Sequence, residues 1–229
     1  MKKDVIIACD FKSKEELFTF LKPFEGYNPY LKIGMELFYK EGPSLVRELK
    51  EKGFRIFLDL KLCDIPNTVY AAMEKLGTLG VEFVNVHAFG GIEMMKKARE
   101  GLNATEAGKK TKLIAVTVLT SIDDEVLSKQ LLIDKPVKEV VRQYAMNTKE
   151  AGLDGVVCSA LEAGMMKEMG LLSLTPGIRL AGDSKDDQKR VATPALAKKL
   201  GSDYIIVGRS ITKAKDPLKA YNQCMEEFN

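Results

Sequence analysis

No stretch of this sequence approaches 18 consecutive apolar residues, which excludes a membrane-spanning helix. The apolar run in the opening MKKDVIIACD breaks at Asp10, too soon for a signal-peptide core, and reads as a first strand. Charge of one sign is not in excess either: 35 Lys and Arg stand against 32 Asp and Glu, interleaved as in LVRELKEKG. Nucleic-acid partners call for a basic stripe or surplus, so none is expected, while a small anionic ligand stays open. Cysteine is sparse. Cys9, Cys63, Cys158 and Cys224 form no C-x-x-C pair and have no histidine at ligand spacing, which points to reduced, mostly buried thiols, a cytoplasmic location and no metal site. His87 is the single histidine, and without a G-x-S-x-G elbow a structural or supporting imidazole is its plainer reading.

What is present is alternation. Strand patterns fall at 5–11, 30–38, 55–61, 83–89, 113–121, 155–160, 172–178 and 204–210, each followed by an amphipathic helical pattern. SKEE at 13–16 offers a capping box, with Ser13 as cap and Glu16 three residues on. No Pro/Ser-rich linker or composition shift divides the chain. Eight strand–helix units in 229 residues fit a single-domain (β/α)8 TIM barrel over 1–229 better than a doubly wound sheet. One segment breaks the rhythm: RLAGDSKDDQKRVATP, 179–194, is a long polar stretch after the seventh strand, expected as a lid on the catalytic face.

Polar residues gather where strands end. These are Asp10 after strand 1, Asp59 and Lys61 on strand 3 with Asp64 beyond, His87 on strand 4, Thr120 and Ser121 on strand 5, Arg179 after strand 7, and Gly208 and Arg209 on strand 8; Lys32 lies early in strand 2. In FLDLKLCDIPNT, Asp59 and Lys61 are two apart and share a face, while Ile56, Leu58 and Leu60 take the other and pack under the helices. Pro66 suits the first turn of the next helix. A structural ion-pair network is one reading of these charges. Desolvating them is costly, however, and charges kept in a cleft at that cost are candidates for catalysis. At IIVGRSI a glycine lets phosphate approach the backbone, Arg209 can pair with it, and the following helix offers N-terminal amides.

DLKLCDIPNTV resembles the D-x-K-x-x-D-I-P-N-T signature of the orotidine 5'-phosphate decarboxylase family. The likeness runs along the whole chain, through IIACDF, LKIGMELF, VNVHAFGG, VTVLTS, LTPGIR, DDQKRVATP and IIVGRSI. It is similar to the short bacterial form, with no room for a fused phosphoribosyltransferase domain. The resemblance implies a cofactor-independent carboxy-lyase that converts orotidine 5'-phosphate to UMP and CO2, the last step of de novo pyrimidine nucleotide synthesis, as a homodimer with shared sites. It implies a charged array of Lys32, Asp59, Lys61 and, from the partner subunit, Asp64, with Lys61 as proton donor to C6. Asp10 and Lys32 would contact the ribose side, with Thr68 contributing from the partner, and Ile65, Pro66 and Pro176 would also bind substrate. The pyrimidine would meet Ser121 near Thr120, and the phosphate would be held by Gln188, Gly208 and Arg209, with Arg179 at the base of the lid. The nearest alternative is a metal-dependent phosphosugar decarboxylase or aldolase sharing D-x-K-x-x-D. Those enzymes are similar in strand 3 but carry an acidic metal ligand on strand 2, where this chain has Lys32. A second alternative is a non-catalytic nucleotide-binding or dimerising barrel.

Overall fold

A computed structural model of the chain describes residues 3–182 and 191–229. All eight expected strands form: β1 Asp4–Ala8, β2 Tyr30–Gly34, β3 Arg55–Leu62, β4 Phe83–His87, β5 Lys112–Val116, β6 Gly155–Val157, β7 Leu172–Ile178 and β8 Tyr204–Val207. They pair in parallel in chain order, and β8 returns to β1 to close a barrel. The helices are α1 Lys14–Leu21, α2 Met35–Glu51, α3 Pro66–Gly77, α4 Gly91–Asn103, α5 Asp124–Lys129, α6 Val137–Glu150, α7 Ala163–Met169, α8 Pro194–Leu200, α9 Arg209–Thr212 and α10 Pro217–Phe228.

Strand parity divides the core in two. Leu31, Ile33, Ile56, Leu58, Val84 and Val86 belong to the outer cluster, packed under the helices. Ile6, Tyr30, Phe57, Phe83, Ile114, Leu174 and Ile206 fill the barrel interior. Rings close its N-terminal end: Tyr30 stacks on Phe83 at 5.8 Å, and Tyr204 stands edge-on to Phe83 at 5.1 Å. Beneath them, an acid just before each of β4, β6 and β8 accepts a backbone N–H from the strand that precedes it in the barrel. Glu82 takes Ile56 N at 2.6 Å, Asp154 takes Leu113 N at 2.8 Å, and Asp203 takes Ser173 N at 2.9 Å. These carboxylates satisfy donors that the ladder leaves open at strand starts. With the lower end sealed by rings and carboxylates, the opposite rim is left for the site.

Several strand patterns overran. MELF, 35–38, opens α2 rather than extending β2, because Gly34 acts as its extended N-cap and Leu37 turns inward to the core. A second break lies inside α2, where Gly42 at φ 70° precedes Pro43. Thr120 and Ser121 are on a turn, not on β5. The β5–β6 ladder ends at Val116 with Val157 because β6 is only three residues long, and beyond it Val118 joins another apolar cluster. Gly208 and Arg209 likewise follow β8, and the helix expected there is a single four-residue turn. At α1 the cap forms, with Ser13 Oγ accepting Glu16 N, but Glu16 reaches back to Lys12 N instead of completing the box at Ser13. Of the segment expected as a lid, 183–190 and with it Gln188 lie outside the described residues.

Candidate active site

The C-terminal rim of β1, β2 and β3 carries a line of alternating charge. Lys32, the central residue of β2, is paired in register with Ala8 of β1 and Phe57 of β3, which aims its side chain up the barrel interior. Its Nζ donates to Asp10 Oδ1 at 2.8 Å and lies 3.3 Å from Asp59 Oδ2. The other Asp59 oxygen, Oδ1, accepts from Lys61 Nζ at 2.7 Å. Asp10, Lys32, Asp59 and Lys61 therefore alternate in sign and sum to zero.

Lys61 projects from a bulge. From Leu58 to Leu62 β3 advances four residues while its partner β4 advances two, from Val84 to Val86. Lys61 takes φ 53° there, a left-handed conformation that costs a non-glycine residue about 1–2 kcal/mol. Bulges of this kind re-aim side chains beside active sites.

Burial and charge act against each other in this row. Burial alone would push the Lys32 ammonium below its ordinary pKa, but Asp59 and Asp10 outweigh it and the net shift is upward. Burial would raise Asp59, yet Lys32 and Lys61, with hydrogen bonds from Lys61 and Asn85, hold its carboxyl below the usual range. His87, last in β4, is lowered first by burial and then by the Lys61 cation. Lys32 and Asp59 are thus held charged in a buried setting.

This row lines one side of a cavity of about 570 Å³, within the range of sites for small molecules. Of the residues expected from sequence, Asp10, Lys32, Asp59, Lys61, Thr120, Ser121, Pro176, Arg179, Gly208 and Arg209 are all brought to it. Arg179 is buried, and its backbone N–H donates to Ala192 O at 3.0 Å, so both ends of the 179–194 segment meet beside β7. A side chain at Gly208 would touch only Ala8, at 3.6 Å, so the protein's own packing does not demand glycine there. Asp64, Ile65, Pro66 and Thr68 are not brought to this cavity. They are exposed at the start of α3, where Asp64 Oδ1 accepts Ile65 N at 2.6 Å. His87 remains a half-buried neighbour of the charged pair.

Two residues went unnoticed in the sequence. Asn85 is fully buried, and its amide bridges the bulge: Nδ2 donates to Asp59 Oδ1 and Oδ1 accepts Lys61 N, both at 2.7 Å. The parity that singled out Asp59 and Lys61 applies equally to FVNVH, where Phe83 and Asn85 point inward. At Gly34 an added Cβ would lie 3.0 Å from Asp10 Oδ1 and 3.2 Å from Lys32 Nζ, so the Asp10–Lys32 pair occupies the space a side chain would need.

Fold and site together define a (β/α)8-barrel of the kind that works on a small anionic substrate at the C-terminal strand ends. The model of the orotidine 5'-phosphate decarboxylase / HUMPS family matches residues 3–224, and the chain belongs to that family. Orotidine 5'-phosphate decarboxylase of Bacillus cereus (strain Q1) is 53% identical over all of this chain and 98% of its own. The crystal structure of the enzyme of that name from Lactobacillus acidophilus is 42% identical, covers both chains fully and superposes with a TM-score of 0.88. An uncharacterized conserved protein from Geobacillus kaustophilus is 47% identical, with a TM-score of 0.86 over 98% of this chain and all of its own.

Proposed function

We propose that this chain decarboxylates orotidine 5'-phosphate to UMP and CO2, without a cofactor, as a step of pyrimidine nucleotide synthesis. The observation that carries this reading is the Asp10–Lys32–Asp59–Lys61 row at the mouth of a nucleotide-sized cavity, in a chain of the decarboxylase family. The C6–carboxylate bond breaks, CO2 leaves, and the electron pair stays on C6. The Lys61 ammonium stabilises that pair and then delivers its proton to C6, giving UMP. Lys61 regains a proton from solvent. Asp59 orients the ammonium, and its charge next to the substrate carboxylate favours departure of CO2. Preorganised charge of this sort is often the largest catalytic term.

The phosphate falls to Arg209 and Arg179 beside Gly208, with Gln188 and the 179–194 segment assigned to cover it. Binding at that remote group supplies energy for organising the reacting end. Thr120, Ser121 and Pro176 face the pyrimidine, and Asp10 and Lys32 the ribose. Asp64, Ile65, Pro66 and Thr68 complete the cavity of a second copy in a homodimer; their exposure at the head of α3, away from their own cavity, supports this. We place the whole chain in one cytoplasmic domain; among the described residues no helix is long and apolar enough to cross a membrane.

Loss of the orotate absorbance of orotidine 5'-phosphate, followed with and without chelator, tests the activity. Chelation is expected to change nothing, because Lys32 occupies the strand-2 position where the metal-dependent alternative needs an acid. Activity that collapsed on chelation would sink the assignment. Lys61→Ala should lose at least about 1000-fold in kcat while binding UMP and melting normally. Mixing inactive Lys61→Ala with inactive Asp64→Ala should restore about a quarter of wild-type activity if a two-fold dimer shares its sites. No recovery after subunit exchange would refute shared sites.

A further inference from the structure

We propose that Asn85 is a positioning residue for the decarboxylation, holding the Lys61 backbone and the Asp59 carboxylate in one fixed relation through a single side-chain amide. The inference rests on the reading of Lys61 as proton donor given above.

At the bulge the β3–β4 ladder is interrupted between Leu58 and Leu62, so the Lys61 N–H has no strand partner in register. Asn85 Oδ1 accepts it at 2.7 Å, while Nδ2 of the same amide donates to Asp59 Oδ1, also at 2.7 Å. Only one orientation of the amide satisfies both neighbours, because Lys61 N is a donor and the carboxylate an acceptor. Asp59 Oδ1 thus accepts from Asn85 and from Lys61 Nζ together. The amide closes a ring that joins Lys61 at its backbone, Asp59 at its carboxylate and Lys61 again at its ammonium. Being fully buried, Asn85 has no water to exchange these bonds with, so the ring is stiff. The φ of 53° at Lys61 gives the ring its purpose: a conformation lysine does not favour is held where the ammonium meets the cavity.

An amide suits this place for a chemical reason. The four charges of the row already cancel, so a neutral group carrying one donor and one acceptor fixes them without disturbing the balance. A protonated carboxylic acid could make the same two bonds, its O–H to Asp59 and its carbonyl oxygen from Lys61 N. An ionised one could not, having no proton to give Asp59.

That difference supplies the test. Steady-state kinetics on the full chain are measured between pH 5 and pH 9 for wild type, Asn85→Ala and Asn85→Asp. UMP binding and thermal melting are followed in parallel, with Lys61→Ala as reference. Asn85→Ala is expected to lower kcat about 100-fold, the scale of a misplaced reacting group, with UMP affinity within about threefold of wild type. Asn85→Asp is expected to work best at low pH and to lose activity about tenfold per pH unit above the pKa of the new carboxyl, a limb absent from wild type. Wild-type kcat in Asn85→Ala overturns the proposal. So does a ratio of Asn85→Asp to wild type that does not vary with pH, at whatever level, and this second variant decides the matter if Asn85→Ala does not fold. A melting temperature that falls along the same pH limb as the rate, with UMP binding lost in step, assigns Asn85 to barrel stability alone and also overturns it. Activity surviving in Lys61→Ala refutes the underlying reading. An inactive Lys61→Ala beside unaffected Asn85 variants refutes this inference only.

Discussion

The Lys32 ammonium lies 3.3 Å from the Asp59 carboxylate across adjacent strands, and each side chain is only one-tenth exposed. A buried pair of this kind seldom stabilises a fold more than packed apolar residues would. Its retention in a cavity wall is a functional choice, and it makes the row sensitive to the loss of either member.

Lys32→Met removes the cation that Asp10 and Asp59 share and leaves a buried carboxylate short of a partner. Urea unfolding should show a loss of about 3–5 kcal/mol, the usual cost of breaking a buried pair from one side. Decarboxylation should fall with it, since Asp59 then loses one of the three contacts that orient it. An unchanged unfolding midpoint would mean that the row carries no structural charge balance.

The pH range of that stability follows from the directions of the shifts. Asp59 is held below its unfolded value, so its contribution is present above the ordinary carboxylate range and is lost as pH falls through the lower folded value. Lys32 is raised, so its contribution is present below the ordinary lysine value and is lost as pH rises through the higher folded value. The stability difference between wild type and a Lys32→Met/Asp59→Leu double variant should therefore be flat from about pH 7.5, where His87 is neutral in both proteins, to about pH 9. A slope inside that window, measured by urea titration, would contradict the shifts.

His87, as the single histidine, gives a clean magnetic resonance signal. Its pKa should lie below the ordinary histidine value, because burial and the Lys61 cation both disfavour imidazolium. Lys61→Met should move it up. Asp59→Asn should move it further down, since Asp59 opposes the shift. Equal values in all three proteins would separate His87 from the charged pair.

Gly34→Ala places a methyl group 3.0 Å from Asp10 Oδ1 and 3.2 Å from Lys32 Nζ. The backbone there is extended with negative φ, so the cost falls on the ion pair rather than on strain. A loss of kcat/KM of about 10-fold, with near-normal melting, is the expected result for a small displacement of positioned groups. Full activity would show that the pair can shift without consequence.

Fold and site were legible in the sequence to different depths. Eight apolar strand patterns, each followed by an amphipathic helix, were enough for a barrel, because closure buries both faces of every strand and leaves continuous apolar runs. Strand ends were less legible. LIAVTVLTS reads as one strand through Ser121, but pairing with β6 ends at Val116 opposite Val157, with one last bond from Thr117 N to Val157 O, and partner length is not written in the run itself. The side from which Asp10, Lys32, Asp59 and Lys61 enter the cavity was open to a parity argument. That they alternate within 3.3 Å of one another was not.

The chain by itself determined the barrel, the rim on which chemistry is placed and the residues of the signature, since these follow from local periodicity and from contiguous residues. Only the tertiary structure decided that β3 bulges beside β4, that Lys61 is held in a left-handed turn of backbone, and that Asn85 and Gly34 make room and bonds for the charged row. Those features arise from register between strands about 25 residues apart, where a mismatch of two residues must be absorbed by one side chain reaching across.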